Sequence, residues 1–179
     1  MLITPGFAGR TLAIVDLIRT TFTAAEGAAE GALIGGLIGD LMALTPPADL
    51  HLFCTEEAGE VIAAVAFSRL HYPEDPHRVA LLAPMAVAPG WQRQGVGQAL
   101  IRAGLGAIRA QGYEVALTYG DPAYYKRFGF QPVSADHARP PLPLTMPHGW
   151  QGQALNGGPM PRLSGPSFCV AALDRADLW

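Results

Sequence analysis

The order of the predicted elements indicates an α/β or α+β protein with one sheet covered by helices. Two helical segments come first, and strand-like and helical segments then follow in mixed order, with strands outnumbering helices. The 179 residues fit one domain, and half of them are hydrophobic while 15% are charged, which is typical of a globular chain. We therefore expect a single folded domain over residues 1–179.

The composition excludes several classes of function. The formal net charge of −3 argues against a protein held on nucleic acid by phosphate contacts. Cys54 and Cys169 have neither the spacing of a zinc site nor the number of a disulfide framework, so we expect no metal. No signal peptide is evident, and the longest apolar stretch, residues 31–44, contains Asp40 and is too short to cross a bilayer. We expect a cytoplasmic protein that binds neither nucleic acid nor membranes.

Two helices are predicted in the first quarter of the chain. Over residues 11–21 apolar side chains recur with helical spacing. A second helix is predicted from about residue 25 to residue 44 and ends before Pro46, which cannot continue it. Glycines stand in this helix at four-residue spacing, which indicates a packed amphipathic helix that permits close approach; they are Gly31, Gly35 and Gly39.

The middle of the chain alternates strands and a helix. Residues 50–55 and 61–70 have strand composition, and the turn-like residues between them favour an antiparallel hairpin. Residues 78–87 predict a third strand, in which Pro84 lacks an amide donor and implies a bulge or an edge. A helix follows over residues 98–110, with an alanine face made of Ala99, Ala103 and Ala107.

The last third gives weaker signals. Residues 113–119 predict a strand, and a short helix should begin at Pro122, a residue suited to a first helical turn. Residues 134–166 are rich in proline and glycine and show little periodicity, while residues 167–173 predict the final strand.

The segment MAVAPGWQRQGVGQAL, residues 85–100, carries the most chemical information. It reads as a strand that stops, a loop with Gly95 and Gly97, and a helix that begins. The first turn of a helix has N–H groups without internal partners and a positive dipole end, and glycines let the backbone approach an anion closely. The segment therefore predicts a cradle of the kind that binds phosphates.

Other interpretations of the same glycines stay open from the residues alone. A dinucleotide fingerprint would need a third glycine where Leu100 stands, and no Walker Gly-Lys-Ser/Thr occurs, which disfavours a nucleotide-binding protein of another fold. A Gly-x-Gly before a helix also serves purely structural ends.

The complete string resembles the GNAT superfamily of N-acetyltransferases. Gln92, Gly95 and Gly97 match its Gln/Arg-x-x-Gly-x-Gly/Ala motif, and Val87 and Pro89 match the Val-x-Pro that usually precedes it. The resemblance implies a mixed, mostly antiparallel, splayed sheet flanked by helices, with acetyl-CoA in the opening of the sheet. It further implies two sets of cofactor-binding residues. Main chain pairing with pantetheine is expected at Met85, Ala86 and Val87, and amides for the pyrophosphate at Gln92, Arg93, Gln94, Gly95, Val96, Gly97 and Gln98.

A second match follows in YYKRFGF, residues 124–130, which resembles the family's aromatic-Tyr-x-x-x-Gly-Phe signature. The resemblance makes Tyr125 the general acid. A phenol with a reference pKa of about 10 stays protonated beside a departing thiol of pKa about 8.5 and can donate to it. The alternative is that Tyr124 and Tyr125 only pack as aromatics on a short helix.

The sequence of residues 120–130 is most similar to a YhbS-like branch of predicted acetyltransferases. More generic GNATs place Asn and Ala where this sequence has Thr118 and Asp121, so an Asn contact to the cofactor is not available. Asp121 is expected to cap the short helix with its carboxylate.

The general base is not assigned by the sequence. Many GNATs carry a Glu on the strand before the pyrophosphate loop, but residues 79–85 contain no acid. His71, Glu74, Asp75 and Glu30 are candidates elsewhere, and we expect the loop residues among them to be solvated surface charges. A water chain, or an amine that arrives deprotonated, would serve instead.

The sequence thus predicts an acyltransferase that moves an acetyl group from acetyl-CoA to an amine by direct attack. The alternative is a non-catalytic acyl-CoA sensor or interaction module on the same fold. The acceptor, a small molecule or a protein, is not identified, and the segments without motifs are expected to bind it. GNATs often dimerise, so a homodimer is open.

Overall fold

The computed structural model describes residues 2–179. Over that range the chain forms seven strands and four α-helices. The strands are β1 (Leu2–Pro5), β2 (Leu50–Glu57), β3 (Glu60–Leu70), β4 (Val79–Val87), β5 (Val115–Tyr119), β6 (Gln131–Pro132) and β7 (Trp150–Ala154). The helices are α1 (Thr11–Glu26), α2 (Ala28–Leu44), α3 (Val96–Ala110) and α4 (Pro122–Tyr125).

The strands form one sheet in the order β1-β2-β3-β4-β5-β7-β6. β4 and β5 pair in parallel, whereas β1 with β2, β5 with β7 and β6 with β7 pair antiparallel. β2 and β3 are joined by Ala58 and Gly59 alone, at φ 51° and 85°, the backbone of a tight hairpin turn. The predicted mixed, mostly antiparallel sheet with helices is confirmed.

By backbone contacts the chain groups into two units. The first comprises residues 2–67 with Pro84–Gly104, and the second comprises Ser68–Ala83 with Leu105–Trp179. Each is described by itself, and the single domain over residues 1–179 stays a prediction.

In the first unit, α1 and α2 pack with backbone close to backbone. Gly27, at φ 102°, separates the two helices, so the second begins slightly later than predicted. A Cβ added to Gly31 would lie 1.9 Å from Thr23 Oγ1 and 2.6 Å from the Arg19 carbonyl oxygen, and one added to Gly35 would lie 2.8 Å from Arg19 Cβ. The predicted close approach is confirmed at Gly31 and Gly35 but not at Gly39, where a Cβ would lie at an ordinary contact distance, 3.8 Å from Val15 Cγ2.

The start of α3 belongs to the first unit and packs through a face other than the predicted one. Leu100 and Ile101 are fully buried. A Cβ on Gly104 would lie 2.4 Å from the ring of Phe67, so glycine sets the depth of this contact. The face shared by the three alanines is therefore not the packed face, and Ala103 is exposed.

In the second unit β5 is the central strand. Its parallel register with β4 runs from Val79↔Val115 to Leu82↔Thr118, and its antiparallel register with β7 includes Thr118↔Gln151. β5 is buried from Val115 to Thr118, as expected for an inner strand.

One prediction about the end of the chain is wrong. Residues 167–173 form no strand: Phe168 makes one isolated bridge to His71, and Ala171–Leu173 is a 3₁₀ turn. The last strand is β7, in a segment whose two glutamines and glycine hide the alternation that marks a strand. Of the two interpretations of Pro84, the edge strand is excluded, because β4 lies between β3 and β5; Pro84 stands two residues beyond the last registered β4–β5 pair, at Leu82.

Candidate active site

The loop between β4 and α3 presents main-chain amides. Pro89–Trp91 forms a 3₁₀ turn, and the backbone then passes through positive φ at Arg93 (60°) and Gly95 (83°) before α3 begins. The first backbone hydrogen bond into α3 runs from Ala99 N–H to the Gly95 carbonyl at 3.0 Å. The N–H groups of the preceding first turn therefore have no intrahelical acceptor, and such groups bind anions.

The two glutamine side chains of the loop brace it. Gln92 Nε2 donates to the Val87 carbonyl at 2.9 Å, and Gln94 Nε2 donates to the Gly90 carbonyl at 2.8 Å. Both side chains are thus directed at the loop's own backbone. Sequence reasoning included these residues for their amides and missed this second role.

The charge of the surrounding sequence suits an anion. Residues 79–113 contain three arginines and no acidic residue, and Arg93 lies exposed within the loop itself. The first turn of α3 also contains no acid. No carboxylate of this segment therefore offsets the positive end of the α3 dipole.

The end of β4 offers its backbone on one side. Ala88 N–H donates to the Ile62 carbonyl at 2.8 Å, which commits that amide to β3. Since successive N–H groups of a strand point to opposite sides, the Val87 N–H is directed away from β3. The register with β5 has ended at Leu82, five residues before β4 ends at Val87. This is the geometry in which an extended ligand can add to a strand.

Tyr125 is held by a short helix whose sequence sets both of its ends. Asp121 Oδ1 accepts a hydrogen bond from Ala123 N–H at 2.8 Å, which confirms the predicted cap, and Pro122 occupies the first turn. Gly129, at φ 93°, ends the following 3₁₀ turn in the left-handed region. The glycine of the Gly-Phe pair thus turns the chain so that Phe130 meets the tyrosine.

Aromatic rings surround Tyr125. Its ring centroid lies 5.7 Å from that of Phe130 and 5.2 Å from that of Tyr124, both edge-to-face. Burial raises the pKa of Tyr125 to about 12; a hydrogen bond with Thr118 acts in the opposite sense, and nearby Tyr124 and Asp121 raise it further. The residue keeps partial solvent exposure. A phenol in this setting retains its proton at neutral pH.

Thr118, which stands where generic family members have Asn, connects Tyr125 with β4. Its hydroxyl is fully buried and donates to the Leu82 carbonyl at 2.9 Å. Thr118 also makes a side-chain hydrogen bond with Tyr125, which lowers the pKa of the phenol against the effect of burial.

Of the loop residues considered as a general base, Asp75 lies in a different environment from the one expected. Asp75 is not a solvated charge: its side chain is 3% exposed and accepts from His77 N–H, His77 Nδ1 and Ser164 N–H at 2.7–2.9 Å. Burial raises the pKa of Asp75, but these hydrogen bonds outweigh it and hold the pKa below its usual value. The expectation for Asp75 is therefore wrong, and its role is to tie two loops together. His71 and Glu74 are exposed, as expected.

The predicted site residues divide between the two units. The cofactor-binding residues from Met85 to Gln98 belong to the first unit, and Tyr125 belongs to the second. Two residues of the second unit that sequence reasoning missed, Gly120 and Gln151, contact or support Tyr125. Within residues 2–179 no cluster of three metal-ligating side chains occurs, and none of the helices there is long and apolar enough to span a bilayer.

Residues 48–132 match the family of the Acetyltransferase (GNAT) domain. The Escherichia coli K12 protein called uncharacterized N-acetyltransferase YjhQ is 35% identical over 117 residues, which cover 63% of this chain and 64% of that protein. The E. coli K12 protein called uncharacterized N-acetyltransferase YhbS is 38% identical over 88 residues, which cover 49% of this chain and 52% of that one. The matches thus span about half to two thirds of these relatives' lengths.

Two solved structures share the fold along nearly the whole chain. The crystal structure of E. coli YhbS in complex with CoA has a TM-score of 0.80 at 26% identity and covers 98% of this chain and 92% of that one. A GNAT acetyltransferase from Brucella melitensis in complex with acetyl-CoA has a TM-score of 0.71 at 25% identity, with 97% of each chain covered.

Residues 48–132 carry the domain of the GNAT superfamily of N-acetyltransferases, and the chain as a whole shares the fold of solved GNAT structures. Its sequence is similar to the proteins called YhbS, as residues 120–130 predicted, and also to YjhQ.

Proposed function

We propose that this protein transfers an acetyl group from acetyl-CoA to an amine of an acceptor by direct attack. The observation that carries the proposal is the loop ahead of α3, where main-chain amides, positive-φ residues and an acid-free surrounding sequence suit a pyrophosphate. The CoA and acetyl-CoA bound in the E. coli and Brucella relatives support the same donor.

The end of β4 binds the arm of the donor and polarises its thioester. The main chain of Met85–Val87 pairs with pantetheine, and the Val87 N–H, directed away from β3, donates to the thioester carbonyl. A fixed donor at that oxygen stabilises the negative charge that develops there as the amine attacks. Binding both reactants in one orientation supplies much of the remaining acceleration.

Tyr125 completes the transfer as the general acid. The amine nitrogen forms a bond to the acetyl carbon, the carbon–sulfur bond breaks, and the phenol proton of Tyr125 passes to the sulfur. The raised pKa of Tyr125 supports this assignment because the phenol is protonated before the step. The amine loses its proton to solvent, since β4 carries no acid and Asp75 is committed to hydrogen bonds.

Calorimetric titration with acetyl-CoA tests the central claim. The wild type should bind, and a Gly95→Glu, Gly97→Glu variant should not, because two carboxylates in the loop repel the pyrophosphate. The matched control is Gly36→Glu, Gly106→Glu, which adds the same charge at glycines with no atom within 4 Å of an added Cβ. An absence of binding to the folded wild type contradicts the proposal.

The second candidate is an acyl-CoA sensor that does not catalyse transfer. The absence of an acid from β4 favours it. Release of CoA thiol from acetyl-CoA should be followed with a panel of amines: silence across the panel, with acetyl-CoA bound, supports the sensor, and any amine-dependent release excludes it.

A further inference from the structure

Gly120 is the surface on which the ring of Tyr125 lies. It follows the last residue of β5, and a Cβ added to it would lie 2.9 Å from Cε2 and 3.6 Å from Cδ2 of Tyr125. Real Cβ atoms do not approach so closely, so any larger residue would displace the ring. The position of the phenol is therefore set by the backbone of Gly120.

Gln151 holds that backbone in place. Its Nε2 donates to the carbonyl of Gly120 and to the carbonyl of Gly149, each at 3.2 Å. The Gly120 N–H donates to the same Gly149 carbonyl at 3.0 Å, so both the N–H and the carbonyl of Gly120 are hydrogen-bonded to β7 or to the turn before it. Gln151 also stands opposite Thr118 in the β5–β7 register.

An amide suits the space between these two carbonyls. Two N–H bonds on one nitrogen serve two acceptors, whereas a carboxylate would repel them and an apolar group would leave them unpaired. The side chain is fully buried, and its Oε1 has no hydrogen-bond partner within the described residues. Burying an unpaired carbonyl is unfavourable by about 1–3 kcal/mol, so packing alone does not account for a glutamine here.

We infer that Gln151 is a positioning residue for Tyr125, acting through the backbone of Gly120. The inference rests on the proposed function, in which Tyr125 donates the proton. A displacement of the peptide unit of Gly120 moves the phenol away from the leaving sulfur, and misplacement of a catalytic group by about 1 Å can reduce a rate by about 100-fold.

The position of the phenol can be measured without an acceptor. In protein with ¹³C-labelled tyrosine rings, the resonance of Tyr125 is assigned by its loss in Tyr125→Phe. It should shift in Gln151→Leu and in Gly120→Ala, and stay in place in Gln153→Leu. Gln153 is the matched control, a second β7 glutamine, whose Nε2 has no hydrogen-bond partner among residues 2–179. If the Tyr125 resonance is unshifted in both test variants, the inference is overturned. If Gln151→Leu does not fold, the Gly120→Ala variant still provides the measurement.

Kinetics distinguish positioning from a general structural effect. The probe reaction is release of CoA from acetyl-CoA with water as the acceptor. Gln151→Leu and Gly120→Ala should lower kcat about tenfold with an unchanged KM for acetyl-CoA, and should lower it no further when combined with Tyr125→Phe. Additive losses overturn the inference. Full turnover in Tyr125→Phe instead removes the acid assignment, and the resonance shift then still decides whether Gln151 positions the ring.

Discussion

The loop ahead of α3 and the segment that carries Tyr125 both depend on glycine, for opposite reasons. Gly95 lies at φ 83° with no atom within 4 Å of an added Cβ, so it supplies a backbone conformation in open space. Gly120 has no such φ, and its missing side chain leaves room for a ring at 2.9 Å. One region works through the shape of the main chain, and the other through the packing of side chains against it.

This difference determines how each region tolerates change. A left-handed loop residue can be replaced by asparagine, which accepts positive φ better than other residues do. A space-filling contact accepts no larger residue, whatever its backbone preference. Substitutions therefore separate the two kinds of glycine by experiment.

The largest expected effect concerns the packed region. Tyr125→Phe should lower kcat about 100-fold, because general acid catalysis contributes about 10²–10⁴-fold, while the affinity for acetyl-CoA stays within about twofold. Turnover with an amine found in the panel and calorimetry measure the two quantities. If Tyr125→Phe reduced turnover and the affinity for acetyl-CoA by the same factor, catalysis by Tyr125 and cofactor binding by the loop would not be separate functions.

The next effect extends the comparison to the seam between α1 and α2. Gly31→Ala should lower the free energy of unfolding by about 1–3 kcal/mol, because its Cβ would lie 1.9 Å from Thr23 Oγ1. Gly36→Ala, on the same helix with nothing within 4 Å, should raise it by about 0.5–1 kcal/mol. Urea titration measures both, and changes of the same sign would contradict the distinction.

A smaller effect is expected in the loop. Gly95→Ala should weaken acetyl-CoA binding about tenfold, because a left-handed conformation is unfavourable for alanine by about 1–2 kcal/mol. Gly95→Asn should weaken acetyl-CoA binding less than Gly95→Ala does. Gly90→Ala, at a glycine with open space and no positive φ, should leave the affinity for acetyl-CoA unchanged. Equal losses in the alanine and asparagine variants would show that conformation is not what Gly95 supplies.

The smallest effect concerns the carboxylate of Asp75. Its folded pKa lies below its usual value, so its stabilisation is present above the unfolded pKa of about 3.9 and is lost as the pH falls through the folded pKa. The Asp75→Asn variant should therefore have a free energy of unfolding about 1 kcal/mol lower than that of the wild type at pH 7. This difference between the two proteins should decrease below about pH 4. Urea titrations across this range measure it, and a gap independent of pH would exclude the charge as its cause.

Motifs that fix the backbone could be predicted from the sequence, and buried polar residues could not. Gly95, Pro122 and Gly129 each require one local conformation, so their elements appear within a few residues of the expected places. Gln151 resembles a surface residue in the sequence and is fully buried, which concealed β7 and the support of Tyr125. The only signal was indirect, a glycine at position 120 directly after a strand.

The apolar run SFCVAAL shows the opposite failure. Its composition favours a strand, but the segment makes one bridge, from Phe168 to His71, and then a 3₁₀ turn. Strand formation requires a free neighbouring edge, and no local pattern reports whether one exists. Asp75 misled in a related manner, since one of its three hydrogen bonds comes from Ser164, which is distant in sequence.

The glycine seam between α1 and α2 also affects how the family can diversify. The main chains of α1 and α2 pack directly against each other, so the side chains on their outer faces contribute little to the stability of the fold. Leu12, for example, is 84% exposed and Leu44 is 62% exposed. Such positions can drift one at a time under selection for a new acceptor, with no compensating mutation in the seam. The close main-chain contact between α1 and α2 thereby leaves their outer surface free to evolve.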